Sequence, residues 1–271
     1  MLGSGTSAGV PMIGCHCSVC SSSDPRDHRS RPSIAVHYSD NGGRNGGGGR
    51  NILIDTSPEL RLQAVRNQLD RIDAVVYTHA HADHIFGLDD LRRYNTVMRA
   101  AMPLYAAPDV LSTLRRIFPY AFETRGGGAG GGAVTNDSLY RPELLPERID
   151  GPFDLFGERW TPIPLVHGRL NILGFRIGNF AYCTDCSDIL PASRELLRNL
   201  DVLIIDALRP RPHPTHLSFE ESLTMISRIR PRRAFFTHLS HDMLHDDIEK
   251  NLPANVRVGY DGLKIEIDPN L

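Results

Sequence analysis

Residues 78 to 84 read Thr-His-Ala-His-Ala-Asp-His, three imidazoles and a carboxylate set directly behind the apolar run Asp73-Ala74-Val75-Val76-Tyr77. A short β-branched and aromatic run predicts a buried strand, so the ligand-bearing residues fall where a strand ends. Extended backbone alternates faces, so His79 and His81 point to one side and can grip one ion. Asp83 and His84 follow where the chain turns into the helix expected over Ile85 to Arg93, within reach of a second ion. Imidazole suits zinc, iron and manganese, and the carboxylate adds hard oxygen character. A two-metal hydrolytic centre is the chemistry such a set serves. The alternative is a His-rich surface turn, against which the H-x-H-x-D-H order at a strand end argues.

The run resembles the T-H-x-H-x-D-H signature of the metallo-β-lactamase fold. Further landmarks follow in that family's order: Val166-His167-Gly168, Tyr182-Cys183-Thr184-Asp185 and Phe235-Phe236-Thr237-His238, each behind an apolar segment. The resemblance implies an α/β protein with the αβ/βα four-layer sandwich fold. It also implies that His79, His81 and His167 hold a first metal, that Asp83, His84 and His238 hold a second, and that Asp185 bridges them.

Near the N-terminus, Gly14-Cys15-His16-Cys17-Ser18-Val19-Cys20 is a C-x-C-x2-C cluster that lacks one ligand of a closed tetrahedral zinc site. Together with Leu2-Gly3-Ser4-Gly5-Thr6-Ser7-Ala8-Gly9-Val10-Pro11 it resembles the PhnP-type cyclic-phosphate phosphodiesterases of the carbon-phosphorus lyase pathway. In that group a structural zinc is held by the three cysteines and by a histidine just after the last active-site histidine. The matching residue here is His241, so one short loop would serve both metal sites. A segment rich in Gly, Ser, Pro and Arg has little apolar surface with which to dock, and a metal cross-link can fix it. The group usually places a short strand ahead of this turn, whereas here Leu2 follows Met1 at once, so a sheet edge is expected to be missing. Unpaired thiols in a reducing compartment are the alternative for the cysteines, and disulfides are not expected. Cys183 and Cys186 straddle Asp185 in C-x-x-C spacing and read as packing, one in the core and one in a loop, rather than as a redox or metal pair.

The 271 residues, 41% of them hydrophobic, suffice for one large α/β domain or two small ones, and one domain over 1–271 is expected. No apolar run approaches a membrane-spanning length and no leader-like segment opens the chain, so a cytoplasmic enzyme is expected. A formal net charge of -2 argues against a large nucleic-acid footprint. Strands are expected over Ser33 to Tyr38, Asn51 to Asp55, Phe175 to Gly178, Phe180 to Cys183, Val202 to Ile205, Ala234 to Thr237 and Leu263 to Ile267. Helices are expected over Pro58 to Gln68 with Ser57 as N-cap, and over Pro108 to Phe118, Ala192 to Asn199, Phe219 to Arg230 and Asp242 to Asn251. The Gly-rich stretch 39–49 reads as a hairpin tip, and Gly126 to Gly132 as a mobile lid or insert, since it lacks the context of a phosphate loop.

Two divalent ions sharing a bridging water would generate hydroxide near neutrality and neutralise charge on a phosphoryl oxygen. The leaving alkoxide needs a proton, and His216, in Arg209-Pro210-Arg211-Pro212-His213-Pro214-Thr215-His216, stands where the resembling group has its candidate donor. Asp83 and Asp185 join it as catalytic carboxylates. His213 is a competitor, and Arg209 and Arg211 are either phosphate contacts or parts of a solvated loop. The leading expectation is a phosphodiesterase with two active-site ions (zinc, manganese or iron) and one structural zinc, acting on a small phosphate ester, cyclic ones included. Thioester or lactone hydrolysis uses the same scaffold. tRNA 3′-end processing ranks lower for want of a basic arm, and a non-catalytic binding role, as in a related quinone-cofactor group, sits poorly with a full ligand set. Family analogy adds a homodimer.

Overall fold

The computed structural model describes residues 1–38, 49–122 and 140–267, so the two Gly-rich stretches, Gly49 excepted, lie outside the described residues. By its internal contacts the chain divides into two compact units, Ser33–Asp150 and a second formed by Met1–Pro32 with Gly151–Leu271.

The unit Ser33–Asp150 carries a five-stranded sheet in sequence order: β1 (Ile34–Tyr38), β2 (Arg50–Ile54), β3 (Ala74–Val76), β4 (Met102–Ala106) and β5 (Leu144–Arg148). β1 and β2 pair antiparallel and the remaining neighbours parallel. Parallel pairs need crossovers. These contain α1 (Leu60–Arg66), α2 (Ala82–Ile85), α3 (Leu91–Met98), α4 (Pro108–Ile117) and α5 (Pro119–Phe122). Ile52, Leu53 and Ile54 are all fully buried, as are Val75 and Val76, so both faces of the central strands are covered.

The helix expected over Ile85 to Arg93 is broken into α2, a 3-10 turn at Leu88–Asp90 and α3. Gly87 accounts for the break. Its N–H bonds the Thr56 carbonyl at 3.0 Å, and a Cβ at this position would collide with the Ser57 carbonyl oxygen. The chain is thereby pinned to the loop after β2 instead of winding on. Ser57 is not the cap of α1. Its carbonyl accepts from Leu60 N and its hydroxyl donates to Gln63 Oε1 at 2.9 Å, and the helix begins only after Glu59.

The other unit carries a seven-stranded sheet in the order β12-β11-β10-β9-β8-β7-β6, where β6 is Phe153–Leu155, β7 Glu158–His167, β8 Leu170–Ile177, β9 Phe180–Cys183, β10 Val202–Asp206, β11 Arg233–Thr237 and β12 Val256–Val258. β6 to β9 form an antiparallel meander, and β9 to β12 run parallel. The crossovers contain α6 (Pro191–Glu195), α7 (Phe219–Ile229) and α8 (His245–Glu249). α7 begins with a capping box in which Ser218 and Glu221 satisfy each other's backbone donors.

β7 escapes sequence pattern because it contains Pro162 and Pro164. β6 pairs only with Glu158 to Trp160, so both prolines lie where no β6 partner needs their missing N–H groups. Leu263 to Ile267 is not a strand. Its carbonyls at Leu263 and Glu266 accept from the Met1 ammonium at 2.6 Å and from Arg233 Nη2 at 2.7 Å. α8 starts three residues later than expected, because the Met243 carbonyl accepts from Arg29 Nη2 at 3.1 Å and the segment before it is held extended. α6 likewise stops at Glu195, short of Asn199.

The N-terminal segment forms isolated bridges, Gly5 with Leu239 and Val10 with Arg29, rather than a strand. Polar bonds fix it. Asp261 accepts from the backbone N–H and the hydroxyl of both Ser4 and Ser30. Arg29, fully buried, pairs with Asp27 at 3.1 Å and donates to the carbonyls of Ser240 and Met243.

Candidate metal centre

In the unit Ser33–Asp150, β3 ends and the chain delivers His79, His81, Asp83 and His84 within one turn. His81 is the exposed N-cap of α2, while Asp83 and His84 are buried in its first turn. The rings of His79 and His81 lie 4.6 Å apart and those of His79 and His84 4.1 Å apart, and His84 Nε2 stands 3.4 Å from Asp83 Oδ2. The four expected ligands are therefore gathered.

A residue that sequence reasoning missed sets the tautomers of two of them, His79 and His84. Asp55, directly after β2 and fully buried, accepts from Thr78 N at 2.8 Å, Thr78 Oγ1 at 2.8 Å and His84 Nδ1 at 2.7 Å. The single hydroxyl proton of Thr78 is committed to Asp55. Thr78 Oγ1 therefore accepts from His79 Nδ1, 2.9 Å away. Both imidazoles carry their proton on Nδ1 and offer the Nε2 lone pair, the form a metal requires. Burial pushes the Asp55 carboxyl up from its ordinary range, against which His84 and the two Thr78 donors act. The available signal was Asp55 closing the apolar run Ile52-Leu53-Ile54.

The second unit repeats the device. Asp206 ends β10, is fully buried, and accepts from His216 Nδ1 and Leu217 N, both at 3.1 Å. Burial raises its carboxyl too, opposed by His216. The β7 end places His167, whose Nδ1 donates to the Thr215 carbonyl at 2.7 Å and so leaves Nε2 as its ligand atom. Gly168 turns the chain there at φ +60° against Thr215, where a Cβ would meet Cγ2 at 2.7 Å. Asp185 follows β9 and lies 3.0 Å from His238 Nε2 through Oδ2. His238 follows β11 and stacks on His216 with ring centroids 4.4 Å apart. His167, Asp185 and His216 present ligand atoms within 4.8 Å of one another, as do Asp206, His216 and His238.

Asp55, Asp185 and His238 all occupy left-handed backbone, at φ 62°, 55° and 62°. Non-glycine residues rarely adopt it, and its use at these three strand ends fits side chains aimed for a function.

Cys15, Cys17 and Cys20 converge on His241. Their sulfurs lie 3.3, 3.4 and 3.5 Å from its Nδ1. Metal–ligand bonds of zinc length on tetrahedral axes place sulfur and nitrogen about 3.6 Å apart, so the donor set fits a zinc ion in both chemistry and spacing. The Cys20 backbone N–H, followed by bonds from His241 and the other thiols, holds Cys17 down to about 6, while burial pushes Cys20 up to about 11. Cys183 ends β9 and Cys186 lies in the loop after it, and both are fully buried against the main core of this unit, as packing residues. Arg211 pairs with Asp242 at 2.8 Å, and Arg209 donates to the carbonyls of its own loop.

The profile of the β-lactamase superfamily domain matches residues 50–239. A crystal structure described as a new diphosphatase from the PhnP family is 42% identical, with 98% of this chain and 96% of that one covered and a TM-score of 0.85. An octanoyltransferase of Porphyromonas gingivalis is 38% identical over 99% of this chain but only 51% of its own length, so the chain spans about half of that curated relative. Zinc-bound PqqB from Methylobacterium extorquens is 20% identical with a TM-score of 0.72 over 98% of both chains, a likeness of fold. The fold class is the αβ/βα sandwich of this superfamily. Among the described residues no helix is long and apolar enough to cross a membrane.

Proposed function

Because this chain belongs to the β-lactamase superfamily and, within it, to the PhnP family, we propose that it is a metal-dependent phosphodiesterase acting on a small phosphate ester. The observation that carries the proposal is the pair of buried carboxylates, Asp55, which sets the protonation of His84 and through Thr78 of His79, and Asp206, which sets that of His216. On the family's ligand order, His79, His81 and His167 would hold one ion and Asp83, His84 and His238 a second, with Asp185 available to both. The same order implies one catalytic domain over residues 1–271. Ions bound there supply charge neutralisation at the phosphoryl oxygens and a nucleophile from water. Zinc, manganese and iron all suit this donor set, and Cys15, Cys17, Cys20 and His241 hold a structural zinc.

The protein's own groups supply the rest. His216 keeps Nδ1–H on Asp206, so its Nε2 is the atom that exchanges a proton. As an imidazolium stabilised by Asp206 it gives that proton to the leaving alkoxide. The diphosphatase likeness adds diphosphate esters to cyclic phosphates as candidate substrates. A cytoplasmic setting suits five free cysteines, and a homodimer rests on family analogy alone.

The test is the initial rate of the manganese-loaded protein on bis(p-nitrophenyl) phosphate beside His216→Ala prepared identically. Metal-dependent turnover that falls by about 100-fold or more in the variant is expected. No turnover with both metals bound would move the assignment to thioester or lactone hydrolysis, or to a binding role.

A further inference from the structure

The loop Arg209-Pro210-Arg211-Pro212-His213-Pro214-Thr215-His216 contains more chemistry than a single proton donor uses. Three prolines restrict its backbone. Backbone bonds from Leu208 N to the Leu217 carbonyl at 2.9 Å and from Phe219 N to the Arg209 carbonyl at 3.0 Å close its base. Arg209 spans it from within, donating through Nε to the Arg211 carbonyl at 3.3 Å and through Nη2 to the Pro212 carbonyl at 3.1 Å. Groups on this loop are held in place before a ligand arrives.

His213 is the half-buried imidazole of the loop. The backbone N–H of Thr215 meets its Nδ1 at 3.3 Å and Thr215 Oγ1 lies 3.2 Å from the same atom. A backbone N–H can only donate, so Nδ1 accepts and the ring proton sits on Nε2. This tautomer is the reverse of that in His167 and His216, which keep their protons on Nδ1. The two neighbours offer a lone pair, which suits a cation or an incoming proton. His213 offers an N–H, which suits an anion. Its ring centroid lies 5.3 Å from that of His216, which in turn lies 4.4 Å from that of His238. Along the row the group presented changes from the acceptor nitrogen of His216 to the donor of His213, and Arg209 Nη2 donates to the Pro212 carbonyl, one residue before His213.

We propose that His213 and Arg209 form a second anion subsite, in which His213 Nε2–H donates to an oxygen of a phosphoryl group adjoining the one attacked. The favoured substrate class is therefore a diphosphate-bridged ester rather than a lone phosphodiester. This rests on the phosphodiesterase assignment above and adds the residues that choose among its substrates.

The experiment compares bis(p-nitrophenyl) phosphate with bis(p-nitrophenyl) diphosphate, a pair differing by one phosphoryl group, on the manganese-loaded protein, His213→Ala and His213→Gln. Products are followed by chromatography and folding by thermal melts. The wild-type protein is expected to favour the diphosphate in kcat/KM. His213→Ala should reduce that preference about tenfold, the worth of one good hydrogen bond, with the loss in KM rather than kcat. His213→Gln, which restores an N–H donor, should recover part of it. Equal losses on both substrates, or a wild-type protein that cleaves the phosphate but not the diphosphate, would overturn the subsite and leave the phosphodiesterase assignment standing. Cleavage of neither substrate would overturn both.

Discussion

Asp55 Oδ2 accepts the Nδ1 proton of His84 at 2.7 Å while the same carboxylate takes the hydroxyl proton of Thr78, so one buried side chain sets the tautomer of two imidazoles. Asp55→Asn keeps the shape but brings an amide that donates where both partners also donate. Metal affinity is expected to fall about 10- to 100-fold, the usual cost of losing such an outer partner. Chelator competition followed by elemental analysis would measure it. Unchanged affinity would mean that the tautomers are set elsewhere.

Cys17 is one of three sulfurs gathered within 3.5 Å of His241 Nδ1. Cys17→Ala should bind one zinc fewer per chain while the other metal content is retained, as read by elemental analysis. Because Val19 and Cys20 form only a small apolar cluster with Val10, the N-terminal segment should then exchange its amide hydrogens faster.

Arg29 is buried with Asp27 and holds the carbonyls of Ser240 and Met243, on either side of His241. Arg29→Met leaves a buried carboxylate and two carbonyls short of their donor. A loss of about 3–5 kcal/mol in chemical denaturation is expected. A loss below about 1 kcal/mol would show that the cluster reorganises at little cost.

Asp73 is the hub of the start of β2. Burial alone would raise its carboxyl, but Arg71, the Asn51 N–H and Arg50 together hold it below its ordinary value of 3.8. A depressed folded-state pKa contributes stability that is present above the unfolded value and is lost as pH falls through the folded one. The thermal midpoint of Asp73→Asn should therefore lie below wild type at neutral pH, with the gap narrowing below about pH 4. A gap independent of pH would show that packing, not charge, is what the substitution removes.

The candidate ligands were legible in the linear sequence because metal chemistry favours His, Asp and Cys, and because strand ends are marked by short apolar runs such as Ala74 to Val76. The same local patterning placed β9, β10, β11, α4 and α7 close to where they lie. β7 was hidden because its prolines suit a strand only where no β6 partner faces them, a fact about its neighbour and not about itself. The helix after His84 breaks because Gly87 lies against the Ser57 carbonyl, thirty residues earlier in the chain.

Asp55, Asp206 and the opposite tautomer of His213 belong to the same class. A histidine in a sequence has two equivalent-looking nitrogens, and only the partner that the tertiary structure brings to one of them decides which holds the proton. Residue identity alone determined that this chain could bind metals. The hydrogen bonds made in its loops decided which nitrogens offer a lone pair and which an N–H, because a tautomer is set by the donor or acceptor that the folded backbone holds against one ring nitrogen, whether distant in the chain, as Asp55 is from His84, or near, as Thr215 is to His213.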